Sequence, residues 1–205
     1  MINKNQPLPI ASTDILAQVR NNPAFNAKNS WAWFQWHVRF LANKQGMKKT
    51  DMFHQTGVTV SKTFMPGQMM SFFYSAKHKD TLPYWDAFPM IIPFGKTATG
   101  FIGINMHYVT VPTRLKLLNK LLSFVNDDTL QPKARMILSW KFLKNASKFP
   151  EIAPCIKQYL FGYVKSNFMI IEPKSWPLSI FLPVESFKGA SNEQVWKDSK
   201  NVIGR

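Results

Sequence analysis

Four prolines, Pro83, Pro89, Pro93 and Pro112, punctuate the stretch PYWDAFPMIIPFGKTATGFIGINMHYVTVP. No long helix survives that spacing, because each ring fixes φ and removes an amide donor. The aromatic and aliphatic runs between the prolines therefore read as strands. FPMIIPF (88–94) is one, with Pro89 and Pro93 confining it to an edge or a bend. KTATG (96–100) is a hairpin-length connection into a second strand, FIGINMHYV. There Phe101, Gly103, Asn105, His107 and Val109 share one face and Ile102, Ile104, Met106 and Tyr108 the other. The alternation puts Asn105 and His107 opposite the aliphatic row, where they need not be buried. Asp86 precedes them in a long turn, AKHKDTLPYWDA, itself preceded by a strand-like MMSFFYS.

Around this centre the periodicity changes. STDILAQVR (12–20) reads as a short helix behind a Ser or Thr cap, and WAWFQWHVRFLANKQG as an aromatic helix ending at Gly46. Residues 47–68 read as a polar, basic loop with a short strand at 58–60. Pro112 opens a helix with the apolar stripe Leu115, Leu118, Leu122 and Val125, placing Arg114, Lys116 and Lys120 outside. A second helix starts at Pro132 with Met136, Ile137, Trp140 and Leu143 as its dry stripe, and a third begins around Glu151. FMIIEP and LSIFLPVESF read as further strands, and SNEQVWKDSKNVIGR as a terminal helix. The expected fold is α+β: a small, mostly antiparallel sheet with a three-helix insertion. A basic, aromatic N-terminal extension (1–64) precedes the core domain (65–205).

Chemistry is sparse. The histidines His37, His54, His78 and His107 form no HxH or HxxxH pair, so no metal site is expected. There is no GxxxxGK[ST] or GxGxxG loop, which disfavours nucleotide hydrolysis. Asp80, Asp86, Glu172 and Glu185 are scattered singly where a two-metal nuclease needs a cluster. The one cysteine, Cys155, excludes an internal disulfide and reads as a core thiol. Asp86, Asn105 and His107 are assigned a structural polar role, with no cofactor, no small-molecule substrate and no enzymatic activity expected. No secretory signal or membrane span is read either, which points to a protein kept in the cytoplasm or leaving it inside something else.

The charge is more informative. Lys and Arg number 26 against 11 acids, a net +15. Up to Lys79 the only acids are Asp14 and Asp51, set against ten basic residues. A field of that sign attracts polyanions, and nucleic acid is the first partner it suggests.

The segments MPGQMMSFFYSAKHKDTLPYWDAFPMIIPF, TGFIGINMHYVTVPTRLKLLNKL, NASKF, APCIKQYL, SWPLSIFLPVESF and VWKDSKN together resemble the DNA end protector family of T-even-like marine and cyanobacterial myoviruses. The resemblance runs from Met65 to Ser199, departing from the family pattern at Trp85 (Tyr expected) and Val109 (Leu expected). It implies a virion protein that travels with the packaged double-stranded DNA, binds its ends and shields them from host exonuclease. Such a task needs cations on phosphates and a cover for the end, not catalysis. On that basis Lys48, Lys49, Lys62, Lys77, Lys79, Arg114, Lys141, Lys144 and Lys148 are the candidate phosphate contacts, and Trp85 a candidate for stacking on the terminal base pair. Other virion proteins of the portal, neck or tail are further expected partners. The competing reading is a structural neck, tail or baseplate subunit that contacts proteins rather than DNA.

Overall fold

The computed structural model describes residues 14–23 and 31–201. The cap expected at residues 12–13, and Asn29 and Ser30 ahead of the aromatic helix, lie outside them. Within them, α1 (Ile15–Arg20) is capped by Asp14, whose Oδ1 accepts from Ala17 N at 3.0 Å. The other Asp14 oxygen accepts from Thr56 N at 3.0 Å and from the Thr56 hydroxyl, tying the helix start to a distant loop. The aromatic helix α2 (Trp31–Lys44) stops as expected, with Gly46 at φ 60°.

Six strands form the main sheet: β1 (Val58–Ser61), β2 (Met69–Ser71), β4 (Met90–Lys96), β5 (Gly100–Asn105), β6 (Ile156–Leu160) and β7 (Phe168–Ile171). Their order is β1-β7-β2-β4-β5-β6, every neighbour antiparallel. A separate two-stranded ribbon pairs β3 (Trp85–Asp86) with β8 (Phe187–Lys188). Helices α3 (Val111–Val125) and α4 (Pro132–Ala146) follow β5, and α5 (Trp176–Ser179) and α6 (Asn192–Asn201) follow β7.

Several expectations need correction. β4 is an interior strand, so of the edge or bend that its prolines allow, the bend applies and the edge does not. Pro89 falls one residue ahead of it, and the register shifts between Pro93 and Gly95, so a bulge absorbs the missing donor while the Pro93 carbonyl accepts from Gly67 N at 2.7 Å. The insertion holds two helices, not three. Pro154 allows only a 3-10 turn at Ala153–Cys155, after which residues 156–160 pair along β5. The run 178–187 is not a strand: Pro177 sits in the first turn of α5, and irregular chain follows to β8. On α4 the stripe turns outward, with Met136, Ile137 and Trp140 exposed and only Leu143 of the four buried.

Both faces of the sheet are covered. On one, Met69, Met90, Ile92 and Ile104 join Ile15, Leu16, Val38, Leu118 and Trp176 in the main core, which draws on both sides of residue 64. On the other, Met70, Phe72, Ile91, Phe101, Tyr159 and Phe168 form a second cluster with Phe64 packed against it. This aromatic layer is why the face opposite the aliphatic row of β5 is not solvent.

Strands β5 and β6 approach closely at Gly100, where an added Cβ would lie 1.9 Å from the Tyr159 carbonyl oxygen. Gly100→Ala must push two backbones apart, an overpacking worth roughly 1–3 kcal/mol. Chemical denaturation should show an unfolding free energy lower by that amount, read as a lower midpoint at unchanged slope. An unchanged midpoint would contradict the close strand approach described.

Candidate nucleic-acid interface

The ribbon strand β3 delivers Asp86 into the interior beside the end of β5. Its Oδ2 accepts from Asn105 Nδ2 at 3.0 Å and from His107 Nδ1 at 2.8 Å, and its Oδ1 from Phe88 N at 3.0 Å. Asn105 also accepts from His107 N at 2.9 Å and donates to the Tyr159 hydroxyl at 2.9 Å. Asn105 and His107 are thus buried, contrary to the alternation: β5 stops at Asn105 and residues 106–108 turn inward, while Asn105 lies under the second aromatic layer. Burial alone would push Asp86 up. The His107 ring, its hydrogen bond and those from Asn105 and Phe88 outweigh burial and hold the carboxyl below its ordinary 3.8.

Arg114 completes the arrangement. Expected on the outside of α3 as a phosphate contact, it is wholly buried. Its guanidinium donates to the carbonyls of Val109 (2.7 Å), Ile180 (3.0 Å) and His107 (3.1 Å), and lies 3.5 Å from the Glu185 carboxylate. Trp196 Nε1 donates to the same His107 carbonyl at 2.8 Å. Arg114 is spent on the fold and cannot reach a phosphate. The far ring nitrogen of His107 is buried with no hydrogen-bond partner among the described residues, so the Asp86–His107 pair has no hydroxyl or thiol to activate. Burial pushes the Cys155 thiol up to about 11, against the lowering effect of Lys157 and Arg114, leaving it inert near neutrality. Among the described residues, no group of three or more His, Cys, Asp or Glu side chains is placed to hold a metal ion. None of the described helices is long and apolar enough to cross a membrane.

Beside this network opens a cleft of about 480 Å³. Tyr74, Tyr84, Trp85 and Tyr108 supply aromatic walls, Lys77 and His78 come from the exposed loop, and Lys157 enters from β6. Lys157 is half-buried, its Nζ 4.2 Å from the centre of the Tyr108 ring. Two expected residues, Lys77 and Trp85, are therefore brought together; Lys79 is exposed in the same loop but does not line the cleft. The remaining candidates lie elsewhere. Lys48 and Lys49 stand at the 3-10 turn Lys49–His54, Lys62 just past β1, and Lys141, Lys144 and Lys148 on or just after α4. Sequence reasoning missed Lys157, although the alternation of IKQYL puts it on the same face as the buried Tyr159; the helix reading of that segment hid it.

The lysines share one property. Among the described residues only Lys174 lies within ion-pair distance of a carboxylate, 2.8 Å from Glu172. Carboxylates elsewhere engage Arg39, Arg114, Arg135 and His107. On α2, Trp36, 60% exposed, stacks on Phe40 at 5.1 Å, and Lys44 stands 5.9 Å from the Phe40 ring centre. Two aromatics and a lysine thus follow one another at four-residue spacing on α2, while Arg39 is turned toward Glu185 at 3.9 Å.

A comparison with protein-family models matches residues 11–200 to the family described as Phage T4 terminal DNA protecting protein. The match takes in α1, α2 and β1, which the sequence resemblance left out. Comparisons with curated proteins and with solved structures give no match.

Asp86→Asn removes the charge while keeping the shape, and loss of one member of a buried pair costs on the order of 3 kcal/mol. Because folding lowers the Asp86 pKa, the stability it adds is present in full above pH 3.8 and is lost as pH falls below that toward the folded value. The difference between wild type and Asp86→Asn should therefore be flat near neutrality and shrink below about pH 4 in thermal unfolding followed by circular dichroism. A pH-independent difference would contradict an ionised Asp86.

Proposed function

The chain belongs to the phage T4 terminal DNA protecting protein family, and we propose that it covers the ends of packaged double-stranded DNA and blocks exonuclease by occupying them, without cutting or modifying DNA. The observation that carries this reading is the disposition of charge: carboxylates lie against Arg39, Arg114 and Arg135, while of the described lysines only Lys174 has a carboxylate partner. Unpaired surface cations release counterions from a polyphosphate on binding, which supplies sequence-independent affinity. Lys48, Lys49, Lys62, Lys77, Lys79, Lys141, Lys144 and Lys148 are the proposed phosphate contacts, and Trp85 the proposed stacking residue.

The same reading places the protein in the virion with the genome, delivered into the host with it. The exposed Met136, Ile137 and Trp140 on α4 suit a contact with another virion protein near the site of DNA exit. A purely structural subunit would need the apolar contact but not the unpaired lysines.

Purified protein should protect linear duplex from a processive double-strand exonuclease at stoichiometric amounts and about 0.15 M salt, with nicked circles failing to compete. Replacing Lys141, Lys144 and Lys148 by Gln should reduce the slope of log affinity against log salt by about 2–3, near 0.9 per lost phosphate contact. Digestion at the same rate with and without protein would overturn the reading, as would equal competition by circles. Loss of DNA ends in magnesium alone would overturn its non-catalytic part.

A further inference from the structure

Lys157 is the cation least explained by the fold. It is half-buried, and burial lowers its pKa, so its charge is held against a desolvation cost. Among the described residues no carboxylate lies within ion-pair distance of it. The Tyr108 ring at 4.2 Å offsets part of that cost, yet a ring face cannot accept the ammonium's three hydrogen bonds as an anion's oxygens can. Such a lysine at the wall of a cleft is set for an incoming anion. Lys77 reinforces the sign at the same opening. Two carboxylates oppose it. Asp86 already accepts three hydrogen bonds from the network, and Asp198 is engaged by Tyr84 and by Gln194 Nε2 at 2.7 Å.

The size and lining narrow the class of anion. About 480 Å³ accommodates one nucleotide and is far too small for a duplex, whose two strands could only meet the cleft at its mouth. Trp85 and Tyr84, both partly exposed, offer flat surfaces on which a base of any identity stacks. A terminal phosphomonoester carries a larger charge than an internal diester, so an end differs from the rest of the duplex in a way a buried lysine can read.

We propose that this cleft takes the last nucleotide of a DNA strand, its base against the Trp85 wall and its terminal phosphate on Lys157. The proposal rests on the end-binding reading above and supplies what that reading lacks, a means of telling an end from an interior. The terminal nucleotide enters unpaired, from an overhang or a frayed pair, and the free lysines meet the phosphates behind it.

The test measures affinity of the full chain for short linear duplexes identical except at their ends: 5′-phosphate, 3′-phosphate or neither, each blunt or with a one-nucleotide overhang. Removal of the terminal phosphate from the preferred strand should weaken binding about tenfold, and an overhang should strengthen it. Lys157→Met should abolish the phosphate dependence, while Lys141→Met, outside the cleft, keeps it. The unsubstituted protein alone decides the matter if Lys157→Met fails to fold, and a 5′-phosphorylated dinucleotide competing better than its dephosphorylated form adds a second readout. Equal affinity for all end chemistries, with linear duplex still preferred over circles, would overturn the cleft and leave end protection standing. No preference for linear duplex would overturn both.

Discussion

The contact between Asp86 and His107 organises the molecule, because it joins in the interior two segments that belong to different sheets. Asp86 arrives on a two-residue strand of a separate ribbon, His107 in the turn that leaves β5, and Asn105 bridges them from the strand end. The His107 carbonyl is then clamped by Arg114 of α3 and Trp196 of α6. Arg114 goes on to hold Val109 and the end of α5 at Ile180. Two sheets, the helical insertion and the last helix thus meet on one polar chain. Buried charges of this kind add little net stability over an apolar core, but they tolerate no loss of a partner, and they fix which segments meet.

That economy decides what is left for function. Glu185 and Asp86 are consumed inside, by arginine and histidine, and the described lysines are left facing solvent almost without counterions. A protein with this balance repels itself and attracts polyanions, a disposition suited to holding DNA rather than transforming it. The acid and base in direct contact, Asp86 and His107, both lie in the interior. Lys157, at the boundary between the network and the cleft, is where the structural and binding parts of the molecule touch.

Much of this was legible in the sequence. The Gly46 stop, the hairpin between β4 and β5, the mixed fold with an antiparallel sheet and the charge excess follow from local rules about proline, glycine and alternation. The misreadings share a cause. Arg114 sits one helical turn from Leu117 and Leu118 and two from Leu121, a spacing that puts it on the buried face; its charge argues otherwise, and only carbonyls from distant segments make its burial tolerable. One aliphatic row suggests a one-sided sheet on which Asn105 need not be buried, whereas the second face is covered by Phe72 just past β2, Tyr159 of β6 and Phe168 of β7. β6 was hidden because IKQYL fits two periods, and pairing along β5, a non-local fact, chooses between them.

The central claim is that ends, not length, are bound. It is tested most directly by counting protein molecules per DNA with native mass spectrometry or mass photometry on duplexes of two lengths and on a closed circle, at moderate salt. The account predicts the same count on both linear lengths, set by two ends, and none held on the circle. A count that grows with duplex length, or equal loading of the circle, would contradict it.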